Sequence, residues 1–132
     1  VRMCRPNFDF EGGGSNVTPQ KAAELWPILT AALGNERPVV SPAVSTCTEG
    51  QNGCLMDGIK WMDEWLELCD GKCRFDAVGL HSYSCDANYV MSLIDQFATR
   101  YGKPVWFNEF SCGGSSAERN LAFARPVFPH FT

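Results

Sequence analysis

Residues 75–110 read FDAVGLHSYSCDANYVMSLIDQFATRYGKPVWFNEF, and this stretch decides the fold. It opens on Phe75–Leu80, a nearly continuous apolar run of the kind buried in parallel sheets. A helical stretch, Asp86–Tyr101, follows, with Tyr89, Val90, Leu93, Ile94 and Phe97 spaced to share an inward face. Gly102-Lys103-Pro104 then turns the chain into a second strand, Val105–Phe107. Strands alternating with helices of this length predict βαβ units and parallel pairing.

The same alternation extends outward in both directions. Upstream, Thr18-Pro19 opens a helix, Thr as N-cap and Pro where its missing N–H costs nothing. Ala22, Leu25, Trp26 and Leu29 share one face of it, and Gly34 closes it. Pro38–Ala43 reads as a short strand centred on Val39-Val40, and the loop Thr46–Cys54 leads into another helix. There Ile59, Met62, Trp65, Leu66 and Cys69 form an inner stripe, while Lys60, Asp63, Glu64 and Glu67 face water. Downstream, a last helix starts near Ser115 or Ser116 and runs into Ala124, where Pro126 and Pro129 disturb it. Phe123–Thr132 reads as a helix cut short, and Glu11–Ser15 is a Gly-rich loop. No strand is followed by Gly-x-Gly-x-x-Gly, so the dinucleotide-binding version of the architecture lacks its signature. Three or four units are present, where a complete barrel has eight in about 250 residues. The expectation is an α/β chain: a partial (β/α)8 barrel of middle-to-late βα units, residues 1–132 forming one partial domain truncated at both ends.

Of the 132 residues 45% are hydrophobic, which suits a globular core, and the net charge of −4 with scattered basic residues argues against nucleic acid or an anionic membrane as partner. No apolar run approaches the roughly 18 residues of a membrane span. Cysteines stand at 4, 47, 54, 69, 73, 85 and 112, a density ordinary for an oxidised compartment. Cys69-x-x-x-Cys73 and His81-x-x-x-Cys85 have tolerable ligand spacing, but no paired zinc-knuckle pattern exists, so disulfides are the favoured reading. The odd count leaves at least one thiol over.

In parallel α/β proteins, reactive groups project from the C-terminal strand ends and the loops beyond them. That rule selects Ser41 and Ser45, then His81, Ser82 and Tyr83, then Asn108-Glu109. Glu109 stands among aromatics at the end of an apolar strand, where burying a carboxylate is expensive unless it is paired or employed. Nucleophilic Ser41, Cys85 or Cys112 is disfavoured because no Gly-x-Ser-x-Gly elbow exists. Trp26, Trp61 and Trp65 fall at core spacing, whereas Trp106, close to Glu109, is the candidate stacking platform for a ligand.

Ser15-Asn16-Val17-Thr18-Pro19, Ala22-Ala23-Glu24-Leu25-Trp26-Pro27 and Val40-Ser41-Pro42-Ala43 come in an order that resembles a known family. Trp65-Leu66, Cys69, Cys73, Phe75-Asp76-Ala77-Val78, His81-Ser82-Tyr83, Gly102-Lys103-Pro104-Val105-Trp106 and Glu109-Phe110 continue the match. It is similar to the alkali-sensitive-linkage glycosyl hydrolases, glycoside hydrolase family 128, endo-β-1,3-glucanases of the (β/α)8 clan. The resemblance implies a retaining hydrolase in which Glu109, in a Trp-x-x-Glu-Phe motif, is the nucleophile, with His81 and Tyr83 lining the substrate cleft; Trp106 and Asn108, close to Glu109 in the sequence, are counted with the substrate-binding residues. Threonine is more usual at Asn108. The family's acid/base glutamate belongs to an Asn-Glu-Pro motif, and here Cys4-Arg5-Pro6 stands in its place, so Arg5 occupies the glutamate's position. Arginine can neither release a proton at neutral pH nor act as base. Glu11, in the Gly-rich loop, is no substitute.

The resemblance also implies disulfides Cys69–Cys73, Cys85–Cys112 and Cys47–Cys54, with Cys4 left over. It implies a polysaccharide partner, β-1,3-glucan, a secreted or cell-wall location, no cofactor and no metal. Oligomeric state is not encoded. A second expectation follows from Arg5: a non-catalytic glucan-binding pseudoenzyme, or an inactive fragment.

Overall fold

A computed structural model of the chain describes residues 3–130. The elements are helix α1 (Pro19–Leu33), strand β1 (Val44–Ser45), α2 (Gly58–Cys69), β2 (Val78–Ser82), α3 (Ala87–Tyr101), β3 (Val105–Phe110) and α4 (Ala117–Val127), then a 3-10 turn at Phe128–His130. Each helix begins at a side chain that accepts otherwise unmade amide hydrogen bonds: Thr18, Asp57, Asp86 and Ser116. The strands form one parallel sheet in the order β1-β2-β3, as the alternation requires.

Several boundaries differ from the sequence expectation. In Pro38–Ala43 only Val40 and Ala43 make isolated bridges, to Ala77 and Cys4, and regular pairing is confined to Val44–Ser45. Pro42 has no N–H to give the ladder. Beside it Ser41 Oγ accepts from the Gly79 amide at 2.9 Å, a side chain doing what backbone does elsewhere. The second strand starts later than Phe75 and runs on to Ser82, so His81 lies within it. The third runs past Phe107 to Phe110 and therefore includes Glu109. Tyr89, expected inward, is 43% exposed. Helix α4 carries Pro126 in its last turn and yields one residue later to the 3-10 turn. Phe131 and Thr132, the end of the helix expected there, lie outside the described residues, as do positions 1 and 2 of the expected domain.

The helices cover one face of the sheet. Trp65 is fully buried there between Trp26, edge-on at 5.3 Å, Trp61, stacked at 6.2 Å, and Phe75 at 5.6 Å. Two indoles satisfy their N–H groups on backbone, Trp26 on Arg74 O at 2.8 Å and Trp61 on Val17 O at 3.0 Å. Val44, Val78, Leu80 and Phe107 meet this cluster from the sheet. Val90, Phe123, Val127 and Phe110 form a second cluster under α4.

The disulfides are Cys47–Cys54, Cys69–Cys73 and Cys85–Cys112. They remove Cys69, Cys73 and Cys85 from any metal reading. Among the described residues, no helix is long and apolar enough to cross a membrane.

Pairing register explains how the sheet aims its polar groups. Val44 pairs with Leu80 and Leu80 with Phe107, a row facing the helices. One step on, Ser45 pairs with His81 and His81 with Glu109, a row that faces away by strand alternation. Phe107 and Glu109 are two apart and would share a face in a regular strand. A register shift after Leu80 leaves Asn108 without an opposite number, and this bulge turns Glu109 to the other side. Phe110, three residues after Phe107, consequently packs against it at 5.7 Å.

The sheet also curls. The Cys4 segment bridges Ala43, which places it beyond β1, roughly three strand spacings of about 4.8 Å from β3 if the sheet were flat. Cys4 Sγ nevertheless stands 3.7 Å from Glu109 Oε1. Only a wall that bends toward its open face brings its two ends that close. Gly79 permits tight packing within this wall, since a Cβ there would meet Ser41 O at 2.9 Å and Ala43 Cα at 3.0 Å.

Candidate active site

His81, fully buried at the centre of the polar row, is held between Cys4 and Glu109. Its Nε2 lies 3.5 Å from Cys4 Sγ, and its Nδ1 lies 3.5 Å from Glu109 Oε2. The Tyr83 hydroxyl, from the loop beyond β2, donates to Glu109 Oε2. The Glu109 side chain keeps about a third of its surface exposed, at 36%. The imidazole at 81 and the carboxylate at 109 therefore meet at one end of the sheet, as their shared position after apolar strands suggested.

The surroundings hold Glu109 ionised. The Tyr83 hydrogen bond lowers its pKa most; burial opposes, and the His81, Cys4 and Arg5 interactions reinforce the lowering. The reciprocal effect appears on Tyr83, whose phenol is pushed up by burial and by its bond to the carboxylate. A phenol that keeps its proton remains a donor, so the pair is stable as tyrosine plus carboxylate.

Arg5 adopts a left-handed backbone, φ 45°, unusual for a residue with a Cβ. Its Nη2 donates to Gly13 O at 2.9 Å, and its guanidinium lies over the rings of Tyr83, at 5.5 Å, and Phe8, at 5.8 Å. The Gly-rich loop and the Tyr83 face thus fix the arginine beside the carboxylate. Asn7, which sequence reasoning did not single out, anchors the segment: buried, it donates to Ser45 O at 2.8 Å and Met56 O at 2.9 Å, and accepts from Ser45 N at 3.0 Å. No local pattern marks such a residue, because its partners lie 38 and 49 positions away.

A cleft of about 360 Å³ opens beside Tyr83 and Arg5, walled by Phe8, Thr48, Asn52 and Tyr89, a size that suits a small ligand. It shares Thr46–Thr48 and Tyr89 with a neighbouring hollow of about 430 Å³ that reaches Phe97. Glu109 is not part of the cleft wall; it faces the open side of the sheet across Tyr83. The other expected site residues are dispersed. Trp106, 55% exposed, pairs with Gly79 on the open face but nearer the N-terminal end of β3. Asn108 borders a separate small cavity of about 140 Å³ with Cys4 and Ser41–Ala43. Ser41 Oγ is committed to the Gly79 amide, and Ser45 is buried, with its backbone N–H and C=O paired to the Asn7 side chain. Ser82 pairs with Phe110 and is buried.

Among the described residues the cluster holds one carboxylate, an imidazole, a phenol and a thiol. One carboxylate kept ionised and partly open can attack an electrophilic carbon. It cannot also supply the proton that a poor leaving group needs.

Comparison with known proteins gives this geometry a context. Residues 3–131 match the family model described as glycosyl hydrolase catalytic core. The fold is similar to an endo-β-1,3-glucanase of glycoside hydrolase family 128, subgroup IV, from Lentinula edodes, at 24% identity, TM-score 0.73, covering 96% of this chain and 45% of that one. It is similar to a curdlan-specific exo-β-1,3-glucanase of subgroup III from Blastomyces gilchristii, solved with glucose, at 25% identity, TM-score 0.73, covering 96% and 53%. It is also similar to a subgroup II endo-β-1,3-glucanase from Sorangium cellulosum, at 30% identity, TM-score 0.69, covering 96% and 53%. The chain thus spans about half the length of these structures. No curated protein matches it.

Proposed function

The chain belongs to the glycosyl hydrolase catalytic core family, within glycoside hydrolase family 128, and on that premise we propose that it engages β-1,3-glucan with Glu109 as a retaining nucleophile. In this reading its βα units are the middle-to-late part of a (β/α)8 wall. The observation that carries it is the Glu109 carboxylate, held ionised by the Tyr83 hydroxyl beside the buried His81 at the C-terminal ends of β2 and β3. Glu109 bonds to the anomeric carbon while the glycosidic bond breaks, its electron pair going to the leaving oxygen. Water later attacks the same carbon and frees Glu109 with retained configuration, the water's proton passing to solvent because Arg5 is no base, so this second step is slow. His81 and Tyr83 orient the carboxylate, and the cleft beside Tyr83 and Arg5 takes the neighbouring glucose units. Three disulfides support a secreted or cell-wall setting.

A retaining enzyme pairs its nucleophile with a second carboxyl about 5–5.5 Å away, which protonates the leaving oxygen. Arg5 stands in that position in the sequence order and has no proton to give. General acid catalysis is worth about 10²–10⁴-fold in rate, so the chain turns over only substrates whose leaving group departs unprotonated. A dinitrophenyl β-1,3-glucoside dimer is such a substrate and laminarin is not. The expected result is release of dinitrophenolate, lost in Glu109→Gln, with little reducing sugar from laminarin. Arg5→Glu should raise laminarin hydrolysis toward the 10²–10⁴-fold that the acid supplies. Arg5 also favours a second reading, binding of glucan without hydrolysis. Retention on insoluble glucan, with no dinitrophenolate released even from the activated substrate, would select it.

A further inference from the structure

Cys4, His81 and Glu109 present a thiol sulfur, a ring nitrogen and a carboxylate oxygen that all lie within 4.8 Å of one another. Cys4 Sγ is 3.5 Å from His81 Nε2 and 3.7 Å from Glu109 Oε1. Tetrahedral zinc, with bonds of about 2.3 Å to sulfur and about 2.0–2.1 Å to nitrogen and oxygen, sets its ligands roughly 3.3–3.6 Å apart. The two edges from Cys4 fall at or just beyond that range and the third is no longer than 4.8 Å, so the set closes on an ion when the exposed Glu109 carboxylate moves toward His81 by about an ångström. We propose that this triad is a zinc site of three protein ligands and an open fourth position.

The chemistry of the donors selects the metal. A thiolate with an imidazole suits zinc and disfavours magnesium and calcium, which take oxygen alone. Thiolate and carboxylate together balance the two charges of the ion. The carboxylate can serve two partners at once, because Cys4 faces Oε1 and Tyr83 holds Oε2. His81 is fixed by complete burial, and Glu109 keeps an exposed side through which metal and a fourth ligand, water, can enter. Binding replaces the thiol proton with a sulfur–zinc bond and releases one proton to the medium.

The site goes beyond the glucanase reading and does not require it, although a metal on Glu109 removes the lone pair that attacks sugar. Cys4 is 77 positions from His81 and 105 from Glu109, so no ligand spacing in the sequence could announce it.

The test is metal titration of the oxidised chain without thiol reductant and without glucan. Co²⁺ should bind one per chain, with a thiolate-to-cobalt charge-transfer band and the intense visible bands of tetrahedral cobalt, and Zn²⁺ should displace it. Cys4→Ser should abolish the charge-transfer band and weaken zinc about 100-fold or more. Glu109→Gln should keep that band and weaken zinc about 10-fold, and it decides the matter if the Cys4 variant fails to fold. No cobalt spectrum at any ratio, or zinc affinity unchanged in whichever variant folds, overturns the site. Because glucan is absent, failure here leaves the nucleophile assignment untouched.

Discussion

Across the sheet, Val44, Leu80 and Phe107 point toward the helices, and in the next paired row Ser45, His81 and Glu109 point away from them. The helix-facing row meets stacked tryptophans and contributes only packing. The outward row ends in groups that would be costly anywhere else: a buried imidazole beside an ionised carboxylate. The contrast teaches that one face supplies most of the stability, while the other aligns an imidazole, a phenol and a carboxylate, the first two holding the third ionised. A change on the first face should alter stability and leave the chemistry's pH dependence alone; a change on the second should do the reverse.

The largest break in that pattern would come at Trp65, the most enclosed of the three clustered indoles. Trp65→Ala should cost about 3–5 kcal/mol in denaturant unfolding, from lost contacts and the cavity left behind. A smaller loss would mean the tryptophan stack is not the main support. Next comes Cys85–Cys112, whose partners are 27 residues apart and tie the loop after β2 to the loop after β3. Replacing both by serine should cost about 3–4 kcal/mol by loop entropy, read as a lower denaturation midpoint.

Tyr83→Phe sharpens the comparison from the other side. The Glu109 pKa is depressed, chiefly by Tyr83, so its stabilising contribution is present above the ordinary glutamate range and fades as pH falls through the lower folded value. Removing the hydroxyl should raise that pKa and move the acid limb of the dinitrophenolate-release profile to higher pH. The midpoint near neutrality should fall only slightly. An unmoved limb would show that His81 or Arg5, not Tyr83, sets the carboxylate. Smallest of all is the exposed Arg100–Asp63 pair, which holds the Asp63 carboxyl below its usual range. Arg100→Gln should leave the midpoint within experimental scatter and the pH profile unchanged.

The helix-facing side was legible in the sequence because its signal is periodic. Trp26, Trp61 and Trp65 recur at helical spacing, caps at Thr18 and Ser116 precede their helices, and apolar runs mark the strands. The disulfide pairings came from the family resemblance and match those in the structure. Strand limits were less legible. Pro42 breaks the ladder where the apolar pattern continues, and the strand at Val105 runs on through polar Asn108 and Glu109. On the outward side, Glu109, His81 and Tyr83 were found by position after apolar runs. Their arrangement was not, because it depends on a bulge at Asn108 and on a curl that brings Cys4 across the sheet. Trp106 and Asn108 were counted with the substrate because they stand close to Glu109 in the sequence; Trp106 lies on the open face opposite Gly79, and Asn108 borders the small cavity beside Cys4.

The central claim is that the carboxylate at 109 forms a covalent bond to sugar. A 2-deoxy-2-fluoro β-1,3-glucoside dimer with a dinitrophenyl leaving group should trap that intermediate, since fluorine slows its hydrolysis. Peptide mass mapping should then find one sugar adduct, on the peptide that carries Glu109 and absent from Glu109→Gln. An adduct on another residue, or none while dinitrophenolate is still released, would contradict the assignment.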